Sequence, residues 1–88
     1  MLQKGMAMIS CDQSDYIEIA CLYRIPVTLR FTDKPAVTGV PLDTGYDAKK
    51  HERLLMRIGT TTTWVDITHL SSMTAVRANP HFDHINMG

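Results

Sequence analysis

Three carboxylates, Asp12, Asp15 and Glu18, fall within seven residues near the start of the sequence, with Ser14 among them. On a helix, Asp15 and Glu18 at i and i+3 share one face. Carboxylates fixed on one face can accept charge-assisted hydrogen bonds from Arg and Lys side chains of a partner. The same residues suit a second task. Asp12 or Ser14 has the side chain of an N-cap, and acids in a first turn oppose the positive end of the helix dipole. On spacing alone, capping is the commoner role for such residues. Ser14 beside Asp15 is not a catalytic pair, because no positioned His is implied.

Other reactive residue types are scattered. Cys11 and Cys21 lie ten apart, with no second Cys or His pair to complete a metal site and no adjacent His or Lys to activate a thiol. They read as small packed residues. Lys49, Lys50, His51 and Arg53 form a basic run that is solvated or gives a supporting contact to a partner. His81, Asp83 and His84 have ligand chemistry, but no predicted rigid element holds them. No Gly-rich phosphate loop and no nucleophile–base pair occurs. The expectation is a protein that is not an enzyme, with no catalytic residue, cofactor or metal.

The whole chain bounds these readings. Its 88 residues make one domain with a modest core. Nine basic residues balance nine acidic ones, which disfavours a strongly basic nucleic-acid binder. The balance hides an asymmetry. Residues 1–23 carry Lys4 against Asp12, Asp15 and Glu18, whereas residues 24–57 carry seven basic against four acidic side chains. The first residues lack the sustained apolar run of a secretion signal, and no stretch reaches the length of a membrane span. A cytoplasmic location is expected, where thiols stay reduced and a disulfide is not expected.

The elements that must position the carboxylates follow from periodicity. Residues 1–9 are rich in Met and Gly and read as a flexible segment. Tyr16, Ile19, Ala20 and Tyr23 then recur at i, i+3, i+4 and i+7, the apolar face of a helix ending near Arg24 before Pro26. From Ile25 to Phe31 the period becomes two, predicting a half-buried strand. Thr32 to Pro35 reads as a turn. Ala36 to Leu42 reads as a second strand with a bulge or bend near Gly39 and Pro41. Asp43 to Arg53 reads as an exposed loop. Strands are predicted over Leu54 to Ile58, Thr61 to Ile67 and Ser72 to Arg77, with a single helical turn over Asp66 to Leu70. Trp64 is expected in core or partly exposed packing. The domain is expected over 10–78, with 79–88 a flexible tail. The fold class is α+β, mainly β: an N-terminal helix on a strongly bent, five-stranded antiparallel sheet or barrel.

The segment Ile9-Ser10-Cys11-Asp12-Gln13-Ser14-Asp15-Tyr16-Ile17-Glu18-Ile19-Ala20-Cys21 fits the pattern I-x-C-D-x-x-D-x-x-E-[LI]-A-C. That pattern resembles the start of the Rof family, small inhibitors of the transcription terminator Rho. A weaker resemblance continues through Ile25 to Phe31, Lys49, Glu52, Leu54 and Leu55, and Val65 to Thr74, so it covers roughly 9–74. Only the N-terminal motif is specific. This chain is neutral, whereas family members tend to be acidic.

The resemblance implies an Sm-like fold. It also implies a monomer that binds the N-terminal RNA-binding domain of Rho and causes antitermination, with no membrane or direct nucleic-acid partner. Asp12, Ser14, Asp15, Glu18, Lys49 and Lys50 are the expected partner-binding residues. The alternative is a small Sm-like RNA-binding protein, for which the middle of the chain is suitably basic but the aromatic residues are few.

Overall fold

A computed structural model describes residues 13–87. Helix α1 spans Gln13–Leu22 and is followed by six strands: β1 Val27–Phe31, β2 Val37–Tyr46, β3 Glu52–Ile58, β4 Thr61–Asp66, β5 Leu70–Ala75 and β6 His84–Asn86. Every neighbouring pair is antiparallel. The order across the sheet is β4-β3-β2-β1-β5-β6, so the sheet curls without closing. No helix among the described residues is long and apolar enough to cross a membrane.

α1 ends where its sequence dictates. Arg24 takes a left-handed conformation, φ 51°. Its N–H donates to the Cys21 carbonyl (3.3 Å), and the Ile25 N–H donates to the Ala20 carbonyl (3.0 Å). These two bonds are the paired closure that satisfies the last carbonyls of a helix. Pro26, which has no N–H, follows immediately. Ile25 is buried, so the capping residue also contributes to the core.

The helix face differs from the periodicity reading. Ile17, Ala20 and Cys21 are buried, with Tyr16 and Ile19 packed partly against them. Tyr23 is 56% exposed. It lies past the last helical residue, and its ring stacks on His81 at 4.3 Å between centroids. Most of α1 is apolar or small on more than one side, so spacing alone did not fix which stripe faces inward.

β1 is the central strand. Val27 and Leu29 have no exposure, and β1 pairs with β2 on one edge and with β5 on the other. β2 changes partner along its length. Val37, Thr38 and Gly39 pair with β1, and Val40 to Tyr46 pair with β3. At Gly39 the backbones are so close that a Cβ would stand 2.7 Å from the Arg57 carbonyl oxygen. The register shifts between Pro41 and Asp43. The bend expected near Gly39 and Pro41 is therefore where the sheet turns over on itself.

Several expected boundaries moved: the strand expected over Ser72 to Arg77 runs Leu70–Ala75, and the one expected from Ile25 starts at Val27. The strand expected to stop at Leu42 runs to Tyr46, and the long loop shrinks to 47–51. β3 accordingly starts at Glu52, because cross-strand pairs from Asp43↔Leu55 to Tyr46↔Glu52 satisfy that polar backbone. The helical turn expected at Asp66 to Leu70 is a reverse turn, closed by the Leu70 N–H on the Ile67 carbonyl at 3.2 Å. Asp66 accepts the Thr68 N–H there instead of starting a helix.

The sixth strand comes from residues expected to form a loose tail. Phe82 is buried and packs edge-on against Tyr16 of α1, centroids 6.0 Å apart. Asn79 holds the approach by accepting the His81 and Phe82 N–H groups through Oδ1. β6 then pairs with β5 from Ser72↔Asn86 to Thr74↔His84. Removing the Phe82 ring should cost about 3 kcal/mol. Phe82→Ala is thus expected to lower the thermal midpoint by on the order of 15 °C, while the exposed Val76→Ser change should move it little. A Phe82→Ala midpoint within a degree or two of the parent would show that the segment is not part of the core.

Candidate functional site

Burying Ile17, Ala20 and Cys21 rolls α1 so that Asp15, Glu18 and Leu22 face outward. They sit at i, i+3 and i+7, a continuous stripe along the helix. Leu22 is 72% exposed at the stripe's C-terminal end. Ser14 lies in the first turn of the same helix. Asp12, expected as its cap, and Cys11 lie outside the described residues.

A groove opens between the C-terminal half of α1 and β2. Glu18, Cys21 and Leu22 line its helix side, and Leu42, Asp43 and Thr44 line its strand side, with Arg24 between them. The Arg24 guanidinium donates to the Cys21 carbonyl and to the Leu42 carbonyl, the latter at 2.8 Å. It thereby pins the helix end to β2. A cation at a helix C-terminus also opposes the dipole there. The Cys21 thiol reports the local field. Burial, then the Asp43 carboxylate and to a smaller extent Glu18, push its pKa up to about 11, against the lowering effect of Arg24.

Asp43 was not singled out from sequence, because it stood in an expected loop. Its place on β2 opposite α1 needs the bulge after Pro41 and a strand that continues beyond it; the bend was expected there, the continuation was not. Lys49 and Lys50 are exposed in the 47–51 loop, past the end of β2. Asp47 is three residues beyond Thr44, about 10 Å along a strand. The two lysines therefore sit apart from the groove and do not extend the carboxylate stripe.

The same loop holds a second cluster. Asp47 Oδ1 accepts the Lys49 and His51 N–H groups, both at 2.8 Å. These bonds hold the Asp47 carboxyl below the usual carboxylate range, the His51 amide contributing most. His51 Nδ1 stands 3.2 Å from Asp47 Oδ2. Asp66, at the end of β4, accepts the Thr68 hydroxyl and amide through Oδ1, and these bonds lower its pKa likewise. One donor atom from each of Asp47, His51 and Asp66 lies within 4.8 Å of the others. Among the expected ligand types near the C-terminus, His81 stacks on Tyr23, and His84 bonds Thr74 and Asn86.

Trp64 lies on the outer face of the sheet, 44% exposed. Its ring covers Gly45, where a Cβ would approach it to 3.1 Å, and the Arg53 guanidinium stands 5.6 Å from its centroid. Glycine at 45 is therefore the seat of the ring.

A helix laid on a curled open sheet, with carboxylates outward and a groove beside them, defines a small α+β domain that displays a charged helix face. The particular family follows from comparison. The chain belongs to the Rof family: the family described as modulator of Rho-dependent transcription termination (ROF) matches residues 8–87. No curated protein matches the chain. A solved structure described as YaeO bound to magnesium, from Vibrio cholerae O395, is similar to it. The two are 36% identical with a TM-score of 0.77, over 88% of this chain and 100% of that one. The resemblance carried by the N-terminal motif is borne out, as is the mainly β fold, with one helix among the described residues.

The raised Cys21 pKa has a solution consequence. In a Cys11→Ser background the thiol is expected to resist Ellman's reagent at pH 8 and to react once the protein is unfolded. Because its folded pKa exceeds the unfolded value, its contribution to stability is complete below about pH 9 and fades as pH rises towards 11. Rapid native-state labelling at pH 8 would contradict the buried position.

Proposed function

We propose that this protein inhibits Rho by laying the outward face of α1 on the RNA-binding surface of Rho's N-terminal domain, so that nascent RNA cannot load. The observation that carries the reading is the alignment of Asp15, Glu18 and Leu22 on one exposed helix stripe, with Asp43 across the adjoining groove. A surface built to hold RNA phosphates presents Lys and Arg. Carboxylates held on a packed helix meet those cations without first being ordered, which lowers the entropic cost of binding. Leu22 adds apolar area at the end of the stripe, where the stem of an Arg or Lys can lie.

Net charge is zero, so attraction acts at contact range and long-range steering is weak. Asp12 and Ser14 belong to the same face by sequence, Asp12 acting chiefly on the helix start. Lys49 and Lys50 make a separate, supporting contact from the far end of the β2–β3 hairpin. The protein works as a monomer in the cytoplasm, by occupancy and without catalysis or a cofactor.

A second reading is favoured by one specific observation. The exposed Trp64 ring beside Arg53 is a surface on which a nucleobase can stack. On that reading the protein binds RNA directly. Trp64 is the single tryptophan, so tryptophan fluorescence from this chain reports on that surface.

Titration against Rho, with and without competing RNA, separates the two. The Rho reading expects saturable binding that RNA displaces. Asp15→Lys and Glu18→Lys should each weaken it roughly 30-fold or more, the size expected when a buried charge contact is reversed. Their circular dichroism should match the parent. Wild-type affinity in both variants would remove the helix from the interface. Oligonucleotide quenching of Trp64 with a steep salt dependence, and no binding to Rho, would establish the direct RNA reading instead.

A further inference from the structure

Two carboxylates from different hairpins converge on one imidazole at the 47–51 loop. Asp47 opens the loop and His51 closes it, four residues apart, while Asp66 arrives from the end of β4. The Asp47–His51 ion pair by itself accounts for closure of the loop. Asp66 is held by its own turn with Thr68, and Lys34 Nζ lies nearby, donating to the Asp66 carbonyl at 2.8 Å. One ligand atom from each of Asp47, His51 and Asp66 nevertheless lies within 4.8 Å of the others, and a divalent cation among them would offset the repulsion between the two carboxylates.

We propose that Asp47, His51 and Asp66 bind a divalent transition-metal ion, with zinc the closest match. The donor chemistry points to that class. One imidazole nitrogen with two carboxylates is a mixed set that suits zinc, cobalt and nickel, whereas magnesium and calcium favour oxygen alone. The donors are also prepared for the ion. Asp47 and Asp66 each commit Oδ1 to backbone N–H groups of their own turn. Those bonds fix the carboxylates and keep them ionised, as a ligand must be. The backbone beneath is tied across both hairpins: Asp47 N–H to the His51 carbonyl, Ile67 N–H to the Glu52 carbonyl, and Arg53 paired with Asp66.

Zinc–ligand bonds of about 2.0 to 2.2 Å require donors to close by roughly 1 to 1.5 Å from the widest spacing here. The His51 side chain is 49% exposed and has room to turn. Three protein ligands leave the remaining positions to water, so the site is an open one. A bound ion would cross-link the β2–β3 loop to the end of β4 and fix the segment that carries Lys49 and Lys50. The site is distinct from the helix face and does not depend on the Rho reading.

The test is calorimetric titration of the full chain with zinc chloride, paired with cobalt-induced NMR line broadening. The expected result is one saturable site, a thermal midpoint that climbs with the logarithm of zinc concentration, and broadening centred on residues 47, 51 and 66. His51→Ala and Asp66→Asn should each weaken zinc roughly tenfold or more. Asn keeps the acceptor that Thr68 uses, so the turn survives. A His81→Ala/His84→Ala double variant should bind as the parent does, and a hundredfold excess of magnesium should not displace zinc. Unchanged affinity in the first two variants, broadening centred on Cys11 or the C-terminal histidines, displacement by magnesium, or no saturation would each overturn the proposal.

Discussion

Everything on the outward face of the helix depends on which stripe of α1 is buried. Ile17, Ala20 and Cys21 enter the core with Val27, Leu29, Leu54 and Met73, and Phe82 closes over them from the C-terminal segment. A helix of ten residues has little stability alone, so this packing is what makes it a helix at all. It also fixes the helix rotation, and with it the direction of Asp15 and Glu18. The Arg24 closure adds the second constraint. It stops rotation at the helix end by joining α1 to the Leu42 carbonyl. A carboxylate face placed by a core and a pinned terminus is held in one orientation.

The sheet supplies the groove by bending at one place. β2 is ten residues long, and it leaves β1 at Gly39 to join β3 at Val40. A side chain at 39 would meet the Arg57 carbonyl, so only glycine permits the crossing. The extra residue at Leu42 then turns Asp43 towards the helix side. One strand thus serves two sheet halves and one wall of the groove.

Aspartates at turns do structural work that composition does not reveal. Asp47 and Asp66 each accept bonds from the backbone of the following residues and so define where β2 ends and where β4 turns into β5. Their charges sit on the sheet's far end, away from Asp15 and Glu18. The zero net charge is therefore a sum over separated patches.

The sequence by itself determined the order of elements, the alternation of β1, the stop before Pro26 and the carboxylate spacing that puts Asp15 and Glu18 on one side. These are properties of neighbours in the chain: period, proline geometry and capping chemistry act within a few residues. The N-terminal motif likewise carried the family. Only the tertiary structure decided the rest. It rolled α1 towards Ile17 and Cys21, because an apolar-rich helix leaves the choice of stripe to what covers it. It extended β2 to Tyr46, because pairing with β3 satisfies polar backbone that looks like loop. It drew Phe82 and His84–Asn86 into the fold, and it brought Asp43 to Glu18 and Asp66 to His51. Some of these partners are near in sequence, as Tyr46 and Glu52 or Thr74 and His84 are, and others are distant, as Asp66 and His51 are; in each case the free energy that selects them comes from burial and cross-strand bonding, which exist only once the chain has folded.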